Sequence, residues 1–267
     1  MSILTLPHAA PKVLLFDWHG TLVDTHDAVY YAIDEVLPRL AALGLMERVI
    51  DVEHSKTLED AKLVKYLLDH GRLHPKVKAA RKVSRTDIFE MLFGPDEEAK
   101  HIAHVEFHKA YRNHCGNVTP FETGFADVLA QLQSLGLVLG VLTNRDREFM
   151  EQEIRAVGDR GWSHFFATVV CGDDVARRKP APDSILKAID NVGLVPGPNT
   201  WYIGDSTTDT VAAKNAGVTS IFYNGADWDR HWLDKIFPGT VRHPHRPDAV
   251  VDDSAELLGL VTRFLDL

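Results

Sequence analysis

The sequence predicts an α/β protein, a doubly wound parallel sheet with an inserted all-helical domain. Short continuous apolar runs, typical of strands buried on both faces of a sheet, recur along the chain. After Pro120 these runs alternate with segments of helical periodicity, the βαβ pattern of a parallel sheet. From Thr25 to about Asn117 only helical periods are visible. The helical stretch is therefore expected to be an insert that follows the first strand and returns near residue 120.

The first strand is predicted at Val13-Leu14-Leu15-Phe16, and the insert begins soon after it. Apolar residues at three- and four-residue steps predict a first helix that continues past Leu40 and stops at Gly44. Thr57 and Asp60 have the spacing of a capping box, which predicts a helix running to His70-Gly71. Further helices are predicted at 85–93 and 96–114, and no strand is expected in the insert.

The second part of the core is predicted to begin with a helix carrying Phe125 and Leu135 and to continue as alternating strands and helices. The apolar runs that predict its strands are 137–142, 168–170, 201–203 and 220–223. We therefore expect a core domain of residues 1–23 and 121–267. Residues 24–120 are expected to form a separate helical cap that closes over the strand ends and excludes water.

Composition and charge limit the kinds of molecule that the protein is expected to bind. The 267 residues carry a formal charge of -9 and no long run of lysine or arginine, which argues against nucleic acid or an anionic membrane as partner. The two cysteines, Cys115 and Cys171, imply neither a disulfide framework nor a multi-cysteine metal site. The first residues have no basic region, and no apolar run reaches the length of a membrane helix. These features predict a cytoplasmic protein with a small-molecule partner, and they leave its oligomeric state open.

Polar side chains follow the carboxyl ends of four predicted strands. In open parallel sheets, ligands bind beyond these strand ends. Asp17 directly follows the first apolar strand, and Thr143-Asn144 follow the second. Lys179 lies in a proline-flanked loop after the third. The last segment, Gly204-Asp205-Ser206-Thr207-Thr208-Asp209, places two carboxylates four residues apart at a strand-to-helix junction.

These four segments, in this order, resemble the four motifs of the haloacid dehalogenase-like superfamily. The insert resembles its helical C1-type cap, as in phosphoglycolate phosphatases and phosphonatases. The resemblance spans nearly the whole chain and implies a Rossmann-like core that hydrolyses a small phosphorylated metabolite. It further implies that Asp17 is a nucleophile forming an aspartyl-phosphate. The residues expected to bind Mg²⁺ are Asp17, the backbone carbonyl of His19, Asp205 and Asp209.

The chemistry of these residues suits phosphoryl transfer. An anionic phosphate repels a carboxylate nucleophile, so the site must supply positive charge. Lys179 and a divalent cation can supply it, and Mg²⁺ prefers converging carboxylate oxygens to histidine clusters. Thr143 and Asn144, with nearby backbone N–H groups and Lys179, are expected to bind the phosphoryl oxygens. Asp209 is expected either to ligate the ion or to orient Asp205 or a metal-bound water.

His19 departs from the family pattern, in which phosphatases carry an aspartate two residues after the nucleophile as acid and base. Histidine can take the same role, with an ordinary pKa of about 6.5. Nearby carboxylates would raise that pKa, whereas Mg²⁺ and Lys179 would lower it, so the sequence does not give the sign of the shift. We expect a phosphatase with His19 as acid and base.

Three alternatives stay open at this stage. Phosphonatases of the superfamily also lack the aspartate and use a cap lysine as a Schiff base, for which Lys56, Lys62 and Lys65 are candidates. A dehalogenase would not need the carboxylates Asp205 and Asp209, so that alternative is weak. The third is a non-enzymatic module that binds a phosphometabolite or a protein at a decayed site.

One further pattern lies in the predicted helix 96–114. Glu97, His101, His104 and His108 fall on one helix face, a spacing that can hold a transition metal. We expect a solvated or cap-to-core face instead.

Overall fold

A computed structural model describes residues 7–55, 57–80, 85–237 and 245–265. The chain divides into two compact units. The core unit comprises Met1–Asp24 with Val118–Leu267, and the helical unit comprises Thr25–Asn117. The predicted domain boundaries, and the role of the helical unit as a cap, stay predictions.

The core unit is built on a six-stranded parallel sheet with strand order β5-β4-β1-β6-β7-β8, which confirms the predicted fold class. A separate antiparallel pair, β2 with β3, was not predicted. The strands are β1 (Val13–Asp17), β2 (Val23–Asp24), β3 (Thr119–Pro120), β4 (Val138–Leu142), β5 (Thr168–Val170), β6 (Thr200–Gly204), β7 (Thr219–Tyr223) and β8 (Ala249–Val251). The edge strand β8 was also missed by the sequence analysis.

The helical unit contains helices and single turns of 3-10 helix, and no strand within its described residues. Thr57 accepts a hydrogen bond from the Asp60 N–H at 3.0 Å, as predicted for a cap. The prediction that the first helix continues past Leu40 was wrong. That helix ends at Val36, because Pro38 lacks an N–H and its ring clashes with the preceding turn. The helices are α1 (His26–Val36), α2 (Leu58–His70), α3 (Pro75–Ala80), α4 (Arg85–Phe93) and α5 (Glu97–Tyr111).

Helices of the core unit cover both faces of the sheet. Alternate residues of β1 point to opposite faces, so Leu14 and Phe16 pack in one apolar cluster and Val13 and Leu15 in the other. The first cluster takes side chains from α6, α7 and α11, the second from α8 and α9. These helices, with the short α10, are α6 (Phe125–Ser134), α7 (Arg147–Ala156), α8 (Asp183–Asn191), α9 (Thr207–Ala216), α10 (Arg230–Ile236) and α11 (Ser254–Phe264). Among the described residues no helix has the length and apolarity to span a bilayer.

Candidate active site

Three carboxylates gather at the carboxyl-terminal edge of the sheet. Asp17 is the last residue of β1, Asp205 directly follows β6, and Asp209 lies in the first turn of α9. One oxygen of each carboxylate lies within 4.8 Å of the others, and we call these residues the aspartate cluster. In the ranges that the structure describes, no other group of three potential metal ligands comes together in this way.

Lys179 is buried against this cluster. It lies in the loop between β5 and α8, and its side chain is 4% exposed. Its ammonium group donates to Asp17 Oδ1 at 2.7 Å, to Asp209 Oδ1 at 2.8 Å and to the Tyr202 hydroxyl at 2.7 Å. Burial acts to lower the pKa of Lys179, but the carboxylates of Asp17 and Asp209 raise it above its ordinary value. The side chain is therefore a fixed positive charge at neutral pH.

The aspartate cluster carries an excess of negative charge that a bound cation would neutralise. Burial raises the pKa of Asp17 to about 6 against the opposing attraction of Lys179. Burial, followed by the charge of Asp17, raises the pKa of Asp205 well above its ordinary value. Three ionised carboxylates and one ammonium group carry a formal charge of -2, which one divalent cation would cancel. An all-oxygen donor set with this charge fits Mg²⁺.

Asp209 differs from the other two aspartates because neighbouring groups occupy both of its oxygens. Oδ1 accepts from Lys179 and, at 2.8 Å, from the Tyr202 hydroxyl. Oδ2 accepts from the Ser206 N–H at 3.2 Å and from the Ser206 hydroxyl. A carboxylate has about four lone-pair positions, so this arrangement favours an orienting role for Asp209 over direct metal ligation. Ser206 is also the N-cap of α9, a role that Asp205 therefore does not fill.

A glycine lets the backbone approach the aspartate cluster closely. Gly20 has a φ of +80°, and a Cβ there would lie 2.3 Å from Asp205 Oδ2. Such a contact is far inside van der Waals distance. A side chain at this position would displace Asp205, which explains why the turn after β1 contains glycine.

Thr143 follows β4, the strand that pairs with β1. Its buried hydroxyl accepts the Arg145 N–H at 3.1 Å and lies 3.5 Å from His19 Nδ1. The N-cap of the next helix is Asp146, so Thr143 is not a helix cap. Its position at the strand end is compatible with the predicted binding of a phosphoryl oxygen.

Asn144 has a contact that the sequence did not predict. Its side-chain amide donates to the Lys179 carbonyl at 3.0 Å, and its Oδ1 accepts the Lys179 N–H at 2.9 Å. Both polar ends of the side chain therefore hold the loop that carries the lysine. The predicted contact between Asn144 and substrate stays a prediction.

His19 is held by a buried carboxylate far along the chain. Its Nε2 lies 2.8 Å from Glu153 Oε2, and the same oxygen accepts the Trp18 indole N–H at 2.9 Å. Arg145 Nε lies 3.4 Å from His19 Nδ1. Burial, and next the charge of Arg145, lower the pKa of His19 to about 4. The ring is therefore neutral at neutral pH, which gives the sign that the sequence left open.

The other candidate residues lie in the helical unit. Lys62 and Lys65 are exposed on α2, and Lys65 pairs with Asp69 at 3.4 Å, whereas Lys56 lies outside the described residues. The histidine face of α5 forms no metal-ligand group in the part of the chain that the structure covers.

The sequence profile of the haloacid dehalogenase-like hydrolases matches residues 14–223, which include all four predicted motifs. The chain belongs to this hydrolase family. The resemblance and the prediction of a hydrolytic enzyme are thereby confirmed.

Relatives within the family include named phosphatases. The chain is 31% identical to a phosphoglycolate phosphatase of Shigella boydii serotype 4 over 214 residues, covering 77% of this chain and 78% of that protein. It is 26% identical over 260 residues to an N-acetylmuramic acid 6-phosphate phosphatase of Pseudomonas aeruginosa, covering 95% and 96%. A crystal structure of a haloacid dehalogenase-superfamily hydrolase of subfamily IA from Geobacter sulfurreducens shares the fold. It has a TM-score of 0.55 at 19% identity and covers 95% of this chain and 98% of that one.

Two residues of this candidate site were missed by the sequence analysis. Tyr202 lies within an apolar strand run, where nothing in the sequence pattern indicates that its hydroxyl enters the site. The position of Glu153 could have been recognised from the sequence, because it lies on the buried face of α7 with Phe149, Met150 and Ile154. A charged residue on an apolar helix face indicates a buried polar contact.

Proposed function

We propose that this chain is a Mg²⁺-dependent phosphatase that hydrolyses a small phosphorylated metabolite through an aspartyl-phosphate on Asp17. The observation that carries the proposal is the ammonium group of Lys179, buried between Asp17 and Asp209 at the end of β1. A buried carboxylate held beside a fixed positive charge suits attack on an anionic phosphorus centre. Family membership and the named phosphatases among the relatives support the same reaction.

The proposed reaction has two steps. Asp17 attacks phosphorus in line, the bond to the leaving oxygen breaks, and the phosphoryl group is transferred to the carboxylate. Lys179 screens the charge of the nucleophile and of the phosphoryl oxygens, and Thr143 donates its hydroxyl to one of them. Water then hydrolyses the aspartyl-phosphate, with His19 in the acid/base position.

Asp17, Asp205 and the backbone carbonyl of His19 would hold Mg²⁺, with Asp209 orienting Lys179 from the side. When bound, the ion supplies positive charge that stabilises the phosphoryl oxygens in the transition state. Burial and the neighbouring carboxylates raise the pKa of Asp205, so the ionised form is unfavourable in the protein alone. A nearby cation would favour that ionised form, which supports the assignment of Asp205 as a metal ligand.

The named relatives act on small phosphate esters, as their names state, and they support a small phosphorylated metabolite as substrate. The negative charge of the chain supports this class over nucleic acid or an anionic membrane.

The test is a phosphate-release screen over phosphorylated metabolites with Mg²⁺ or with EDTA. We expect release that EDTA abolishes and that Asp17→Asn lowers on the order of 10⁴-fold or more. Asp190→Asn, which changes an exposed carboxylate on α8, is the matched control and should leave release unchanged. Release that survives Asp17→Asn would refute the nucleophile. Borohydride trapping of phosphonoacetaldehyde on a lysine would instead support a phosphonatase.

A further inference from the structure

The Glu153 carboxylate is buried where an apolar side chain would ordinarily stand. Its side chain has 0% exposure and projects from the face of α7 that also carries Met150 and Ile154. Burial of a carboxylate is strongly unfavourable unless hydrogen bonds compensate for the lost water. Leucine at this position would avoid that cost, so the carboxylate calls for an explanation beyond packing.

The partners of His19 fix which of its nitrogens carries the proton. An ionised carboxylate only accepts hydrogen bonds, so Nε2, 2.8 Å from Glu153, must donate. An arginine N–H only donates, so Nδ1, 3.4 Å from Arg145 Nε, must accept. Both contacts give the same tautomer, with the hydrogen on Nε2 and the lone pair on Nδ1. Nδ1 is also the nitrogen on the side of Thr143, the residue proposed to bind a phosphoryl oxygen.

We infer that Glu153 is a positioning residue that holds His19 as the Nε2–H tautomer, so that Nδ1 accepts the proton of the water that hydrolyses the aspartyl-phosphate. This inference rests on the proposed function. In this step the long hydrogen bond from Arg145 to Nδ1 breaks, the water O–H bond breaks and the water's proton goes to Nδ1. The water oxygen bonds to phosphorus, and the bond from phosphorus to Asp17 breaks with its electron pair returning to the carboxylate. The hydrogen bond to Glu153 then stabilises the imidazolium.

The competing explanation is structural. A buried indole N–H needs an acceptor, and Glu153 supplies one to Trp18 at 2.9 Å. If Glu153 served only to accept the Trp18 N–H, Trp18→Phe would remove the need for the carboxylate, and dephosphorylation would not slow. The two explanations therefore differ in which variants slow the second step.

The experiment uses p-nitrophenyl phosphate with Mg²⁺, because nitrophenolate leaves without needing a proton. For Glu153→Leu we expect a burst of nitrophenolate, aspartyl-phosphate trapped by acid quench, and kcat about 10- to 100-fold below wild type. Glu153→Gln, which keeps an acceptor oxygen, should fall between Leu and wild type. In a His19→Ala background, Glu153→Leu should lower kcat less than about two-fold further, since Glu153 acts through the ring.

Distinct results identify which idea fails. If the wild type releases no nitrophenolate, or Asp17→Asn releases it equally, the proposed function is overturned and the inference with it. If the wild type is active and Asp17→Asn is not, but Glu153→Leu accumulates no phosphoenzyme, only the inference is overturned. Accumulation in Trp18→Phe equal to that in Glu153→Leu would also overturn it.

A second measurement needs no turnover. Long-range ¹H–¹⁵N correlation of the imidazole in the unliganded protein should show His19 protonated at Nε2. The same spectrum of Glu153→Leu should show that this preference is lost. Protonation at Nδ1 in the wild type would overturn the inference.

Discussion

Replacement of Lys179 by methionine tests the charge balance on which the site depends. Methionine keeps most of the length and volume of the side chain but removes the ammonium group. The change leaves Asp17, Asp209 and the Tyr202 hydroxyl without a donor that now lies 2.7–2.8 Å from each. The formal charge of the cluster becomes more negative by one.

The size of the effect follows from burial. Both carboxylate partners are nearly inaccessible, with side chains 12% and 4% exposed. Removal of one partner of a buried ion pair costs about 3–5 kcal/mol, because the remaining charge stays desolvated. For a chain of this size that corresponds to a Tm lower by about 6–20 °C. Phosphate release should fall about 10²- to 10³-fold, the usual result when a preorganised electrostatic group is removed.

The cost should depend on pH and on Mg²⁺. Burial already raises the pKa of Asp17 to about 6, and loss of the lysine raises it further. Below that pH the carboxylate takes up a proton and the penalty shrinks, so Lys179→Met should be closer to wild type at pH 5 than at pH 8. Mg²⁺ should stabilise the variant more than the wild type, because the cation meets a more negative cluster.

Urea unfolding at pH 5 and pH 8, with and without Mg²⁺, measures the effects on stability, and the phosphate-release assay measures the loss of activity. Lys187→Met is the matched control, since Lys187 is exposed on α8 and bonds only to a backbone carbonyl in the contacts observed. Its stability should change by less than about 0.5 kcal/mol. The charge argument is wrong if Lys179→Met unfolds at the same urea concentration as wild type at pH 8 without Mg²⁺.

Further predictions concern the metal site and the helical unit. Gly20→Ala and Gly136→Ala both place a Cβ at a φ near +80°, which costs about 1–2 kcal/mol, and Gly20→Ala adds the clash with Asp205 to that cost. Only the former should weaken Mg²⁺ binding in calorimetry, since nothing lies within 4 Å of a Cβ at position 136. Because the pKa of Asp17 is raised to about 6, Mg²⁺ should bind more tightly as pH rises from 5 to 7 and release protons, visible as a buffer-dependent binding enthalpy. Burial lowers the pKa of His104 to about 4, so stability should be lost as pH falls from about 6.5 towards 4. His104→Gln should reduce that loss, and urea titrations of the variant and the wild type at several pH values measure the difference.

The fold could be read from the sequence where the pattern is local. Strand β1 is buried on both faces of the sheet, and the four consecutive apolar residues before Asp17 identified it in the sequence. Helix α4 covers the range of 85–93 that the sequence predicted. The prediction for the first helix was wrong at its end, because the apolar spacing continues through Pro38, where the backbone cannot remain helical. Strand β8, with three residues, gives too short a run to separate from a loop.

The candidate site was predictable only in part. Asp17, Lys179 and Asp205 could be placed together, because the carboxyl ends of parallel strands share one edge of the sheet. Contacts between side chains that are far apart in the sequence could not be predicted from the order of strands and helices. Glu153 and His19 are 134 residues apart, and their contact depends on which face of α7 packs against the turn after β1. The Tyr202 hydroxyl lies 2.8 Å from Asp209, a contact that needs the strand direction and the helix position together.

The pairing of His19 with Glu153 gives a physical reason why an imidazole can stand where the family's phosphatases carry aspartate. An aspartate at position 19 would add another negative charge beside a cluster whose formal charge is already -2. A neutral ring adds no such charge, and Glu153 contacts Nε2, the ring nitrogen opposite the one on the side of Thr143. Repulsion falls with distance, whereas the hydrogen bond to Nε2 still stabilises the imidazolium once the proton arrives. In the proposed mechanism this arrangement keeps the negative charge of Glu153 on the other side of the ring from the reacting water, while its hydrogen bond still stabilises the protonated base.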